Sequence, residues 1–361
     1  MTLPDDGATT SARQRMTAGL TADHPSAWAA AFASVPRHPF VPCFYAQDHT
    51  GTWQGIAAGD PGFLDAVYSD TALTIQLDDQ GIPNSSSSQP STMLTMLDAL
   101  DVRDGHRVLE LGTGTGYNTA LLCHRLGDKN VTSVDIDPGL VETATRRLQH
   151  AGFNPTIVVG DGAQGYPGNA PYDRIIATVG LHAIPRPLLE QAAPGAVIVA
   201  PLGYGILRIT MTGRGHATGR FLPTPAYFMA RRTSGTAPQF DATAQQDPTT
   251  TSVPPADVLG RLKFAASVAI PSYTSCSWRS DQGELEAVGL WTPDGSTAVV
   301  HVSGSVRQIG PQRLWDTIEK LAKEFTDEPA RDAFLLTITP TRQIVYYEDT
   351  DGPSWPLPTA H

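Results

Sequence analysis

From Gln89 onward the apolar and polar positions fall into a regular succession of two kinds of segment. "PSTMLTMLDAL" has helical spacing, "HRVLELG" is an apolar run, "YNTALLCHRLG" is helical again and "NVTSVDID" is a second apolar run. The succession continues with helix "GLVETATRRLQHAG", strands "PTIVVGD" and "YDRIIAT", helix "IPRPLLEQAA" and strand "AVIVAPL". Strands that are apolar throughout and separated by amphipathic helices need cover on both faces, which a parallel sheet with helices on either side provides. The pattern predicts an α/β fold over residues 81–232, a doubly wound, mostly parallel, Rossmann-like sheet.

The flanks read differently. The first 25 or so residues are polar without periodicity, so a frayed end is expected there. A helix is predicted at "HPSAWAAAFASV", stopped by the prolines of "PRHPFVP". Residues 45–70 are rich in Gly, Asp and aromatics and read as an irregular insertion with short helical pieces; with the rest of 1–80 they form a candidate lid. Residues 233–257 have the Pro, Thr, Ser and Gln content of a linker. Residues 258–361 hold the strand-like runs "KFAASVAI", "LEAVGLW", "TAVVHV", "FLLTIT" and "QIVYYE" with one helix, "PQRLWDTIEKLAKEF", and read as a small C-terminal α+β module. Trp278, Trp291, Trp315 and Trp355 are expected in its core, with "YYEDTD" a candidate peptide-docking face. A chain of 361 residues suits this division into two domains.

Composition narrows the partners. Lys and Arg number 25 against 36 Asp and Glu, a formal charge of −11, which disfavours nucleic acid and suits a small molecule or a peptide. No run approaches the roughly 18 to 20 apolar residues of a membrane span, and the N-terminus lacks the apolar middle of a signal peptide, so a cytoplasmic protein is expected. Cys43, Cys123 and Cys276 are widely spaced and unpaired in motif, which argues for buried packing thiols and against a disulfide framework or a metal site.

The chemistry gathers at "VLELGTGTGYN". Gly112, Gly114 and Gly116 lie where a strand ends and a helix begins, so the backbone can approach a ligand closely. Tyr117 stands where the dinucleotide fingerprint needs its third glycine, which disfavours pyrophosphate. Glu110, two residues before the first glycine, suits a cationic group, and S-adenosylmethionine offers one in its methionyl ammonium. Asp135, 21 residues after Gly114, stands where an acidic residue meets ribose hydroxyls, and Asp161 with Gly162 ends the next strand at the adenine position. Thr113 and Ile136 complete the candidate cofactor-binding set.

With these residues placed, the stretch 35–203 resembles the protein-L-isoaspartate O-methyltransferase family through "VPRHPFVP", "SSSQP", "LELGTGTGYNTALL", "SVDIDPGLV", "VVGDGAQGYP", "APYDRII" and "LLEQAAPGA". The resemblance implies a class I methyltransferase that esterifies a peptide carboxylate with S-adenosylmethionine, releasing S-adenosylhomocysteine. It implies Ser88 as the active-site serine; Ser87 beside it is a second candidate catalytic hydroxyl, and Ser86, Gln89 and His182 are candidates for the substrate site. "SSSSQP" and "TVGLHAIP" depart from the usual repair-enzyme pattern. "LDAVYSDTALTIQLDDQGIPNSSSSQPS" and the C-terminal segments look like the branch associated with ATP-grasp peptide maturases. That branch implies as substrate a ribosomally made, crosslinked peptide, supplied beside an ATP-grasp ligase, in which a methylated aspartate closes to an aspartimide. The alternatives are a general repair methyltransferase and a non-catalytic S-adenosylmethionine- or peptide-binding protein. An aspartate carboxyl, with a reference pKa of about 3.9, is already ionised at neutral pH, so no general base is required.

Overall fold

The computed structural model describes residues 6–229 and 236–358, and these form two compact units. The first takes in the described residues up to Val179 with Pro185–Ala200 and Arg208–Gly215. The second takes in Gly180–Ile184, Pro201–Leu207 and the described residues from His216. Its border therefore comes earlier than the composition change at 232.

In the first unit the wound sheet forms as the pattern predicts. Strands Ala192–Leu202, Tyr172–Ala177, Val108–Leu111, Val131–Asp135 and Thr156–Val159 are neighbours in that order, and each adjacent pair runs parallel. Every residue of Val108–Leu111 and of Val131–Asp135 is buried, as strands covered on both faces must be. Helices Pro90–Leu100, Tyr117–Leu126, Pro138–His150 and Arg186–Gln191 lie between them in sequence. Helix Pro138–His150 shows the local logic: Asp137 accepts from the Gly139 and Leu140 N–H groups, a proline occupies the first turn, and Val141, Ala144 and Leu148 form one buried stripe. After Val108–Leu111 the chain builds strands to one side and then returns to the other. Ligands of open α/β sheets bind at the carboxyl ends of strands beside such a reversal.

The N-terminal region is more ordered than its sequence suggests. Instead of a frayed end there is a helix, Gly7–Leu20, capped by the Asp6 side chain and holding Ala12 and Met16 in the core. Only two of its five buried residues, Ala12 and Met16, are apolar, too few to register as a period. The expected irregular insertion belongs to a four-stranded antiparallel sheet ordered Trp53–Ala57, Cys43–Gln47, Leu73–Leu77, Pro83–Ser87. Its Asp and Gly content is turn chemistry. Asp48 accepts from the Thr50 and Thr52 N–H groups, and Asp78 accepts from those of Gln80 and Ile82, closing two hairpins in the same way. Cys43 sits exposed on this sheet and Cys276 is half-buried, so only Cys123 is the buried thiol expected of all three.

In the second unit, His216–Pro225 pairs with Phe334–Ile338, which pairs with Gln343–Tyr347 and then Ser354–Pro356. A separate antiparallel sheet runs Thr249–Thr250, Ser305–Ile309, Thr297–His301, Leu285–Trp291, Thr274–Arg279. The run "KFAASVAI", expected as a strand, is the helix Lys263–Ala269; five of its seven residues are buried, and a helix covered all round shows no period to distinguish it from a strand. The expected linker carries, from residue 236 on, helix Phe240–Ala244, strand Thr249–Thr250 and helix Ala256–Leu259, while 233–235 lie outside the described residues. Of the four tryptophans assigned to the core only Trp315 is fully buried; Trp291 and Trp355 are half-buried and Trp278 is 38% exposed. Among the described residues, no helix is long and apolar enough to cross a membrane.

Phe334 centres the aromatic core of this unit, edge-on to Phe264 at 4.9 Å and to Tyr347 at 5.0 Å. Phe334→Ala is expected to destabilise the chain by about 3–5 kcal/mol in urea unfolding. A loss under about 1 kcal/mol would show that the ring is not a core element.

Candidate active site

Strand Val108–Leu111 ends in the turn Gly112 to Gly116 and the chain enters helix Tyr117–Leu126. All three glycines have positive φ, but for different neighbours. A Cβ on Gly112 would lie 2.8 Å from Thr178 Oγ1 and 2.9 Å from Val179 Cγ1, and one on Gly116 would lie 3.3 Å from Ala144 Cβ. A Cβ on Gly114 would meet only the Ser86 carbonyl oxygen, at 3.8 Å. The outer glycines are required by packing. The middle one faces open space beside the serine run.

Glu110 has a role the sequence reading did not give it. It is fully buried, and its carboxylate accepts from Asn118 Nδ2 at 2.7 Å, Thr119 Oγ1 at 2.5 Å and Ser133 Oγ at 2.7 Å. Burial pushes its pKa up, against the pull of those three donors. The group braces the turn from within the protein, so the expected direct contact with a ligand ammonium gives way to a structural one. Thr113 joins the same network through a 2.7 Å hydroxyl contact with Ser133 and is itself buried.

Asp135 ends its strand with Oδ2 accepting the Gly114 N–H at 2.9 Å and Oδ1 accepting the Asp137 N–H at 3.1 Å. Each oxygen has two lone pairs, so capacity for two further donors is left, as a ribose diol requires. Ile136 beside it is 47% exposed, an apolar side chain turned to solvent next to the carboxylate. Asp161 accepts the Ala163 N–H at 3.0 Å, and a Cβ on Gly162 would lie 3.2 Å from Leu111 Cδ2. The glycine turn, Asp135, Ile136, Asp161 and Gly162 thus all follow the carboxyl ends of adjacent strands. Together they fit a nucleoside.

The serine run forms strand Pro83–Ser87, which pairs with Leu73–Leu77 and leads into helix Pro90–Leu100. Ser87 is buried with its hydroxyl 3.2 Å from Arg37 Nη2, so its side chain is turned into the interior and away from the catalytic role expected of it. Ser86 and Ser88 are half-buried. Gln89 donates from Nε2 to Asp70 Oδ2 at 3.1 Å, and Asp70 Oδ1 accepts the Ser91 N–H at 2.8 Å, capping the helix from 21 residues away. Arg37 was not among the candidate site residues, although it lies within "VPRHPFVP". Its guanidinium is fully buried and donates to five carbonyls, those of Val67, Ser69, Thr71, Ser87 and Ser88, besides the Ser87 hydroxyl. The prolines around it, which signal a rigid turn, and the family resemblance of the stretch were the signals that pointed here.

His182 belongs to the second unit, in the loop 180–184, where it is half-buried. Within that unit Leu181 N–H donates to the Pro201 carbonyl at 2.9 Å, and Gln343 pairs with both backbone groups of Ile184, at 3.0 and 2.7 Å.

A family profile described as protein-L-isoaspartate(D-aspartate) O-methyltransferase matches residues 17–214, more than half of the chain. The chain belongs to this family. A protein-L-isoaspartate O-methyltransferase of Ignicoccus hospitalis is 37% identical over 164 residues, 44% of this chain and 75% of the relative. Another, of Azorhizobium caulinodans, is 41% identical over 145 residues, 40% of this chain and 63% of the relative. A solved protein-L-isoaspartate O-methyltransferase shares the fold at a TM-score of 0.55 and 19% identity, the match covering 95% of this chain and 98% of the other. The family is one of protein carboxyl methyltransferases, and the glycine turn and the serine run lie within the matched residues.

Glu110→Ala is expected to cost about 3–5 kcal/mol of stability, because three buried donors lose their acceptor at once. Glu110→Gln should cost less, since the Thr119 and Ser133 hydroxyls can turn to accept. Urea unfolding of both variants checks this, and near-identity of Glu110→Ala with the wild type would mean the network carries no load.

Proposed function

We propose that the chain is an S-adenosylmethionine-dependent methyltransferase that esterifies the free carboxylate of an isoaspartyl residue in a protein or peptide. The observation that carries this reading is the approach of Gly114 to the Ser86 carbonyl, which sets the cofactor turn against the serine run. Family membership and the named relatives support the isoaspartyl acceptor.

Asp135 is assigned to the ribose hydroxyls, Asp161 and Gly162 to the adenine, Ile136 to an apolar face of the nucleoside, and the backbone at Gly112 to Gly116 to the methionyl part. When bound, S-adenosylmethionine supplies the methyl group: its carbon–sulfur bond breaks as the acceptor oxygen bonds to the carbon, and S-adenosylhomocysteine leaves. The chain's own contribution is positional. An ionised carboxylate needs no base, so Ser88 donates to one carboxylate oxygen and leaves the other to attack. Ser86 and Gln89 are assigned to the walls of the same seat.

The competing reading is an ordinary aspartate in a crosslinked peptide, delivered by an ATP-grasp ligase. The serine run, "TVGLHAIP" and the C-terminal segments support it, but the presence of a second unit does not by itself favour it, since a solved protein-L-isoaspartate O-methyltransferase shares the fold over 95% of this chain.

Methylation of an isoaspartyl peptide, followed by mass spectrometry, is expected to exceed that of the same sequence with aspartate and that of a side-chain-crosslinked aspartyl peptide. Preference for the crosslinked peptide would overturn the assignment in favour of peptide tailoring. Ser88→Ala should lower kcat/KM by about 10- to 1000-fold, the scale for losing a donor aimed at the reacting group. Asp135→Ala should weaken S-adenosylhomocysteine binding by about 1.5–3 kcal/mol in calorimetry. An unchanged dissociation constant would remove Asp135 from the site.

A further inference from the structure

Arg37 is a buried cation whose side chain donates to five backbone carbonyls and one hydroxyl, and none of the ion pairs among the described residues includes it. Its Nε is buried without a hydrogen-bond partner, as is the hydroxyl of Tyr117. Burial holds the guanidinium down to about 10, which leaves it charged at neutral pH. Carbonyls alone rarely justify burying a full charge, because neutral donors would satisfy them at lower desolvation cost. A fixed charge is useful where a counter-charge arrives later.

The geometry tells where. Nη2 draws in two successive carbonyls, Ser87 at 3.4 Å and Ser88 at 3.0 Å. Both peptides are trans, so each N–H points opposite to its carbonyl. The N–H groups of Ser88 and Gln89 are therefore turned away from Arg37, at the residue assigned to the acceptor. We propose that Arg37 is a positioning residue of the acceptor seat: it turns the Ser87–Ser88–Gln89 backbone so that two amide donors face outward, and its charge makes the seat selective for a carboxylate over a neutral group. This rests on the reading of Ser88 as the acceptor-binding serine. Asp70, exposed and hydrogen-bonded to Gln89 and Ser91, is the nearby opposing charge.

Methyl transfer consumes the acceptor's negative charge, so a fixed cation favours the bound carboxylate more than the partly neutralised transition state. Its signature lies in KM rather than kcat. The experiment uses the full chain and whichever peptide the wild type methylates, isoaspartyl or crosslinked aspartyl; an error in the acceptor reading then shows in the wild type and an error about Arg37 only in the variants. Arg37→Gln should raise KM by about 10- to 100-fold with kcat unchanged or higher. It should leave S-adenosylhomocysteine binding unchanged, and the inhibition constant of the same peptide with its acceptor carboxyl amidated should move by less than about twofold. Arg37→Lys keeps the charge but cannot reach five carbonyls, and should fall between the two. Asp70→Asn removes the opposing charge and should lower KM, an improvement that a scaffold role does not produce. Equal weakening of the acid and the amide peptide, or a KM raised by Asp70→Asn, would overturn the proposal. If Arg37→Gln fails to bind S-adenosylhomocysteine because it does not fold, Arg37→Lys and Asp70→Asn decide it by the same criteria.

Discussion

The carboxylate of Glu110 lies wholly inside the protein beneath the glycine turn, and the turn keeps its shape only while that charge is satisfied. Removing a carboxylate from water costs several kcal/mol, so its donors must be held in place in the folded state. Two of them, Asn118 and Thr119, come from the first turn of the helix that follows, and the third, Ser133, comes from the neighbouring strand. A single group thereby ties strand to strand and strand to helix. Both ends of the 112–116 segment are fixed, and its path is confined between Thr178 and Val179 on one side and Ala144 and Leu148 on the other. Glycine at 112 and 116 follows from that confinement before any ligand is considered. What remains for function is Gly114, the one glycine whose missing side chain leaves open space.

The second buried charge organises the opposite side in a similar way. Arg37 gathers carbonyls from the Val67–Thr71 stretch and from Ser87 and Ser88, so the end of one hairpin strand is pinned to the loop before another. Asp70 extends the arrangement by capping helix Pro90–Leu100, whose own preceding residue, Gln89, provides no side-chain cap. The serine run is polar and would otherwise be a poor strand. It is ordered by these two ionic side chains, with Leu73 and Thr74 as its pairing partners.

The wound sheet was legible because its strands centre on apolar runs such as Val108–Leu111 and the helix Pro138–His150 carries one buried stripe, so strand and helix periods separate there. Asp135 and Asp161 were legible for a related reason: strand ends can be counted, and the parallel register carries them to one edge. Where the chain was misread, the period was missing. Lys263–Ala269 is a helix buried all round, Gly7–Leu20 buries only two apolar side chains beside polar ones, and the hairpins of the N-terminal sheet are closed by aspartates that read as loop composition. Arg37 and the inward turn of Ser87 could not be read at all. A buried arginine has the same letter as an exposed one, and its partners are backbone carbonyls, which sequence does not display. The same blindness applied to Glu110, whose spacing from the glycines was noticed but whose three donors lie 8, 9 and 23 residues away.

On the proposed reaction the two buried charges have complementary signs, negative under the cofactor turn and positive under the serine run. Neither has to be stripped of water when a ligand arrives, because folding has already done so, and both act through a medium of low dielectric. Their effect on the reaction differs from that of an oxyanion hole. Ester formation removes charge from the acceptor as it proceeds, so fixed charges stabilise the bound ions more than the transition state and contribute to affinity and selectivity. The rate must then come from alignment: a carboxylate oxygen held by directional donors, in line with the methyl group and shielded from water. That division explains why the ionic groups lie behind the surface while hydroxyl and amide donors form it. A charge placed directly in the seat would hold the carboxylate too well to let it react.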